Sequence, residues 1–179
     1  MWNVKTQTEP RGFTLIELLL VLVMVGLLGS LAMPVFKQLI KKAESGACVG
    51  NLSQIGISVM LAAQDTNRFP TIETDPSNPV YPEEEGAKGL LETLEPYGIE
   101  ERHLRCVTDV NGPNHFARTG SSYEWRPILD GAPVANPKVY GRWGSYNMPL
   151  SRVRLVSDFG SVHNGRQNLL YADGHTRGF

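Results

Sequence analysis

Residues 11–36 read RGFTLIELLLVLVMVGLLGSLAMPVF, and from Phe13 to Phe36 the single charged residue is Glu17. As a helix rising about 1.5 Å per residue, this run is roughly 36 Å long, enough to cross a bilayer core of about 30 Å. A helix on the surface of a soluble domain carries one apolar stripe, whereas this one is apolar all round. Residues 1–12, MWNVKTQTEPRG, are short and polar, with Lys5 and Arg11. Three readings of the run compete: a cleaved secretory signal, a plain membrane anchor, and a leader followed by an assembly helix. Ser30-Leu31-Ala32 loosely imitates a signal cleavage site. The apolar run, however, exceeds the usual signal core of about 7–15 residues.

Glu17 separates the readings. An acid at mid-helix costs about 2.5–3.5 kcal/mol on insertion scales, and less nearer the interface. An anchor or a signal gains nothing from it. An assembly helix does gain, because the carboxylate can meet a positive charge on a neighbouring chain. The alternative is a Glu that snorkels to the headgroups. Gly26 and Ser30 lie four apart with Gly29 beside them, which suits either close helix approach or ordinary membrane-helix glycine. Pro34 removes a backbone donor and is expected to kink or loosen the helix.

Beyond Phe36 the pattern turns amphipathic. Cys48, Leu52, Ile55, Val59 and Ala62 follow one another at spacings of 4, 3, 4 and 3, which is one helical face. That face is expected to lie against the C-terminal part, with Lys41, Lys42 and Glu44 solvated. Gly46, Gly50 and Gly56 each weaken the helix by up to about 1 kcal/mol relative to Ala. They are either tolerated or mark a close-packed segment. The helix should end near Asp65–Asn67, ahead of Phe69-Pro70. The organisation expected is therefore a leader over 1–12, an apolar helix over 13–36, an amphipathic extension over 37–66 and a head over 67–179.

In the head, Pro70, Pro76, Pro79 and Pro82 followed by Glu83-Glu84-Glu85 read as a loop with a solvated acidic triplet. Ala87–Glu95 reads as a short helix with Leu90, Leu91 and Leu94 inward, closed by Pro96 and Gly98. Arg154–Phe159, Asn168–Ala172 and His175–Arg177 read as strands. Asp173-Gly174 makes a two-residue hairpin turn between the last two, and Asn164-Gly165 marks another turn. The fold class is α+β, a long helix on a small antiparallel sheet. Lys+Arg (17) nearly balances Asp+Glu (18), for a net charge of -1. That balance excludes nucleic-acid binding driven by bulk charge. No G-x-S-x-G, H-E-x-x-H or phosphate-binding glycine loop is present, so no catalytic residue is assigned.

Arg11-Gly12-Phe13-Thr14-Leu15-Ile16-Glu17-Leu18 resembles the type IV prepilin cleavage and methylation motif. The resemblance implies that a prepilin peptidase cuts between Gly12 and Phe13 and N-methylates Phe13. It makes Glu17 the fifth residue of the mature chain, paired with the amino group of an adjacent subunit, and puts Pro34 where many pilins kink. His163, nine residues, then Asp173-Gly174 resembles the H-X9-DG domain of prepilin-like proteins. Leu52–Gly56, Asp65 with Phe69-Pro70, and Tyr171–His175 resemble the same group. Together these imply a pilin-like structural subunit, not an enzyme, of a type II secretion pseudopilus or a type IV pilus-like filament. The implied partners are copies of the chain, other pseudopilins, the peptidase, the inner-membrane assembly machinery and the lipid bilayer.

The implied location is single-pass in the inner membrane, with the head in the periplasm or on the cell surface after processing. Lys37, Lys41 and Lys42, set against Lys5 and Arg11, would by charge alone place the C-terminal side in the cytoplasm; the resemblance implies the reverse. The competing class is a non-polymerising, membrane-tethered extracytoplasmic binding module, for which Trp125, Trp143 and Tyr146 would be an exposed aromatic surface, although a small core also needs its aromatics.

By spacing, Cys48 and Cys106 are either two thiols or one disulfide. Export permits a disulfide, and with Cys48 on the inward helix face the two are expected to meet beneath the head. Such a bond would contribute about 4 kcal/mol on the chain-entropy model. Asp158, His163, Asp173 and His175 are weak candidates for a zinc or calcium site. Major pseudopilins often hold calcium, but their ligand pattern does not match onto this chain, so no metal is assigned. An Asp in an Asp-Gly turn usually serves the turn, and His163 is expected to hydrogen-bond Asp173 across the hairpin.

Overall fold

The computed structural model describes residues 12–73, 88–141, 144–160, 162–163 and 165–178. Leader residues 1–11, Pro76, Pro79, Pro82, the acidic triplet 83–85, Ala87, Trp143 and Asn164 lie outside them, as does the side chain of Tyr146.

Helix α1 runs unbroken from Leu15 to Thr66 and passes through Pro34. A proline here removes its own N–H bond to the carbonyl four residues back, and the helix continues regardless. It stops where Asn67 turns left-handed at φ 57°, a conformation Asn tolerates better than most residues. Thr66 Oγ1 ties off the end by donating to Ala62 O (3.0 Å) and Arg68 O (2.9 Å). The chain divides into two compact units, Met1–Ile40 and Lys41–Phe179. In the first, every described side chain is exposed except the partly covered Ala32.

In the second unit α1 buries one stripe: Ser45, Cys48, Leu52, Ile55, Gly56, Ser58, Val59, Ala62 and Ala63. All five positions picked out by the 4-3-4-3 spacing are in it. Lys41 and Lys42 are exposed, but Glu44 is half-buried, contrary to expectation, because it borders a cavity with Thr108, Val162 and His163. The three helix glycines differ. A Cβ at Gly46 or Gly50 would meet nothing, whereas one at Gly56 would come within 2.8 Å of Leu170 Cδ1. Gly56 is thus the close-packing position, where the fully buried Leu170 crosses the helix.

Three short helices follow: α2 (Leu90–Leu94), α3 (Val107–Val110) and α4 (His115–Thr119). Within the described residues α2 starts at Leu90, buries Leu90 and Leu94, and runs into a 3-10 turn over Glu95–Tyr97 that closes on left-handed Gly98. Leu91 is only half-buried, since the element is too short to present three leucines inward.

Strands β1 (Tyr123–Trp125), β4 (Arg154–Asp158), β5 (Leu169–Tyr171) and β6 (Thr176–Arg177) form an antiparallel sheet in the order β1-β4-β5-β6, while β2 (Val139–Gly141) and β3 (Gly144–Tyr146) pair as a separate ribbon. The fold is α+β, and β4 to β6 fall where the sequence placed its last three strands. From Leu155 onward β4 is buried at every position, as expected for a central strand covered on both faces. The β5–β6 turn is one residue longer than the Asp-Gly signal suggests. Tyr171 N–H donates to His175 O (2.9 Å), leaving Ala172, Asp173 and Gly174 as the loop. Ala172 is diverted from the ladder because its N–H donates to Val153 O (2.8 Å). Gly174 supplies the positive φ, 88°, that a three-residue hairpin needs. Trp125, a surface aromatic only on the binding-module reading, is 2% exposed and donates from Nε1 to Asp130 Oδ1 (2.7 Å). Its strand faces the core.

Leu52 is fully buried, whereas Ile57 on the same helix is 55% exposed. Leu52→Ala is expected to destabilise the protein by about 2–5 kcal/mol. Ile57→Ala should stay within about 0.5 kcal/mol of the parent. Urea unfolding of the full chain in detergent, followed by tryptophan fluorescence, checks the contrast.

Candidate functional site

Two places gather the residues singled out above. The first is the start of α1. Thr14 N and Thr14 Oγ1 each donate to Glu17 Oε2 at 2.9 Å, and Glu17 N donates back to Thr14 Oγ1 at 3.3 Å. This is a capping box: a threonine at the cap and an acid three residues on satisfy each other's orphan donors. The carboxylate also sits at the positive end of the helix dipole. The T-x-x-E signal stands in the sequence, beside the two readings of Glu17 given above, a partner on a neighbouring chain or a side chain that snorkels. Among the described residues Glu17 Oε1 takes no bond. Gly12 is exposed, and a side chain there would meet nothing within 4 Å.

The second place lies under the head. Cys48 on α1 and Cys106, just ahead of α3, are joined in a disulfide with Cα atoms 5.4 Å apart. Asn51 steadies the crossing by donating to Arg105 O (2.9 Å) and to Tyr123 Oη (3.2 Å). His163 packs against the bond, with Nε2 3.4 Å from Cys106 Sγ and 3.3 Å from Asp158 Oδ2, and Nδ1 3.5 Å from Thr108 Oγ1. Asp158 is fully buried at the end of β4 and accepts from Asn168 N–H (2.8 Å), while its Oδ1 has no hydrogen-bond partner among the described residues.

His163 therefore does not bond Asp173, as the hairpin reading had it. The loop between β4 and β5 turns His163 inward to Asp158 and Cys106. Asp173 instead accepts from His175 N–H (3.2 Å) and pairs with its Nδ1 (2.5 Å), and the His175 ring stacks on Tyr171. The four weak metal candidates thus fall into two pairs, one buried and one at the surface. Among the described residues the set that brings three metal-type ligand atoms together is Cys48, Cys106 and His163. The cysteines' spacing alone gave no sign of such a cluster, and a sulfur and nitrogen set does not suit calcium, which prefers oxygen.

Sequence reading also missed Asp109, a fully buried carboxylate. It accepts from His115 N (3.0 Å), Phe116 N (3.1 Å), Ser122 Oγ (2.7 Å) and His115 Nδ1 (2.8 Å). Burial alone would raise its pKa, but these hydrogen bonds outweigh burial and hold the carboxyl below its usual range. It fastens α3 to α4 and β1.

The N-terminal residues 10–33 match the prokaryotic N-terminal methylation motif. The type II secretion system core protein G of Dickeya chrysanthemi is 29% identical over 103 residues, covering 52% of this chain and 67% of that protein. Core protein G of Pectobacterium carotovorum subsp. carotovorum is 29% identical over 105 residues, covering 54% and 67%. The chain is thus similar to these core proteins over about half its length, and it carries the methylation motif at the start of its apolar helix. These relatives are named as core proteins of a type II secretion system. No solved structure matches it. Among the described residues, one helix is long and apolar enough to cross a membrane, the α1 that begins inside the methylation motif.

Burial pushes the Asp158 carboxyl up to about 7, against hydrogen bonds from Asn168 that favour its charged form. Burial also draws His163 below its usual value, with Glu44 opposing. Because the folded Asp158 keeps a proton that the unfolded chain releases near 3.9, its contribution is fully present below about pH 4 and is lost as pH rises through about 7. His163 acts in the opposite sense. Asp158→Asn cancels only the first effect. The difference in urea midpoint, parent minus variant, is expected to fall steadily between pH 4 and 7; a flat difference would rule out a protonated Asp158.

Proposed function

We propose that the chain is a structural subunit of a type II secretion pseudopilus or a related type IV pilus-like filament, made as a membrane precursor and cut between Gly12 and Phe13. The observation that carries this is the methylation motif over residues 10–33, seated at the start of an apolar helix whose side chains over 13–40 are nearly all exposed among the described residues. An apolar surface on all sides needs a nonaqueous environment. Lipid supplies it before assembly, and neighbouring α1 helices supply it afterwards. The proposed location follows: a single pass through the inner membrane with the head outside the cytoplasm, where a disulfide persists. The proposed partners are other pseudopilins and a prepilin peptidase. Exposed Gly12 leaves the scissile backbone open to that peptidase.

Cleavage would create an amine at Phe13, four residues before Glu17. Glu17 already spends Oε2 on its own cap, so its free Oε1 is the atom that reaches the amine of an adjacent subunit. A pair of this kind fixes register more than it adds stability. The binding-module alternative loses one of its three aromatics, since Trp125 belongs to the core.

Glutamine preserves a capping box but carries no charge, which separates the two uses of Glu17. Glu17→Gln is expected to be processed normally, as read by intact mass, yet to give as little of the crosslinked oligomer ladder in membranes as Glu17→Ala. A full ladder from the glutamine variant would reduce Glu17 to a cap. Gly12→Glu should accumulate as uncut precursor, and a chain still beginning at Phe13 in that variant would contradict the processing site.

A further inference from the structure

Cys48, Cys106 and His163 each offer one ligand atom, all buried and all within 4.8 Å of one another. Asp158 lies outside that set of three but extends it to a tetrad through the ring, with Oδ2 3.3 Å from His163 Nε2, which itself lies 3.4 Å from Cys106 Sγ. Zinc–sulfur bonds run about 2.3 Å, and zinc bonds to nitrogen or oxygen about 2.0–2.2 Å. In a tetrahedron these lengths put neighbouring S···N and N···O ligands about 3.6 and 3.4 Å apart. Two edges of the tetrad therefore already have coordination spacing. Asp158 is fully buried, and among the described residues its Oδ1 accepts no hydrogen bond. His163 Nδ1 faces Thr108 Oγ1 at 3.5 Å, a contact that would keep the proton on Nδ1 and leave Nε2 to bind a metal. A cavity of about 230 Å³, lined by Lys41, Glu44, Thr108, Val162 and His163, leads to the ring.

We propose that the dithiol form of this chain binds one zinc ion through Cys48 Sγ, Cys106 Sγ, His163 Nε2 and the Asp158 carboxylate, so that the same two cysteines lock the head either by a disulfide or by a metal. The oxidised form has no such site, because both sulfurs are spent on each other. A dithiol or phosphine reductant opens the bond: the disulfide gains two electrons and two protons, and the reductant is oxidised. Zinc then replaces the two thiol protons, which leave to solvent, and takes up no electron. The sulfurs need to part to about 3.8 Å, within reach of side-chain rotation on Cα atoms 5.4 Å apart. Two thiolates and an imidazole favour zinc over magnesium or calcium.

Cobalt(II) is the probe, added to the full chain in detergent with and without a phosphine reductant. The reduced chain is expected to bind one cobalt per chain, with thiolate charge-transfer absorption and the intense visible bands of tetrahedral cobalt, and zinc should displace it. The oxidised chain should show neither band. His163→Gln and Asp158→Asn should each weaken binding about tenfold or more. A reduced parent chain without the tetrahedral thiolate spectrum overturns the site, and that titration needs no substitution. Equal affinity in His163→Gln, checked to be folded by near-ultraviolet circular dichroism, overturns it as well.

Discussion

Burial of one stripe of α1, from Ser45 to Ala63, is the constraint on which the head depends. The other elements are too small to stand alone. Its strands are two to five residues long and α2 to α4 four or five, and isolated pieces of that size are marginal in water. They become ordered by closing over the stripe: Leu170 over Gly56, Tyr97 O accepting from Ser58 Oγ, Tyr123 Oη meeting Asn51. The Cys48–Cys106 bond staples the same surface across a sequence separation of 58. A loop of that length is where a cross-link most restricts the unfolded chain.

One helix thus serves two environments. Its first unit exposes Leu, Val and Met on all sides, and its second keeps polar residues outward and a narrow apolar line inward. Backbone hydrogen bonding is satisfied internally in both, which is why a helix can pass from lipid to water without changing its geometry. The acid in the first turn is held by its own threonine. It therefore has a hydrogen-bonded place within its own chain.

Much of this was legible in the sequence because it rests on local periodicity. The helical stripe, the end of α1 near Asn67, β4 to β6 and their glycine turn are all written in residue spacing. What escaped depends on contacts far apart in the chain. His163 and Asp173 share a motif, yet the β4–β5 loop sends one inward and leaves the other at the surface. Asp109 organises three elements through hydrogen bonds that no short pattern announces. Trp125 sits in a strand of three residues, too brief to show the alternation that would have marked it as core. The cap that Thr14 gives Glu17 is local by contrast, and its T-x-x-E spacing is present in the sequence.

The two rims of the four-stranded sheet have a further consequence. One is β6, two residues long and ending on Arg177; the other is β1, three residues long with Glu124 at its centre. Unpaired backbone along a rim invites strands from other molecules, and brevity and charge are the usual deterrents. Heads crowded at high local density therefore offer one another almost no ladder to extend. Sheet-on-sheet aggregation through these rims is discouraged by their geometry.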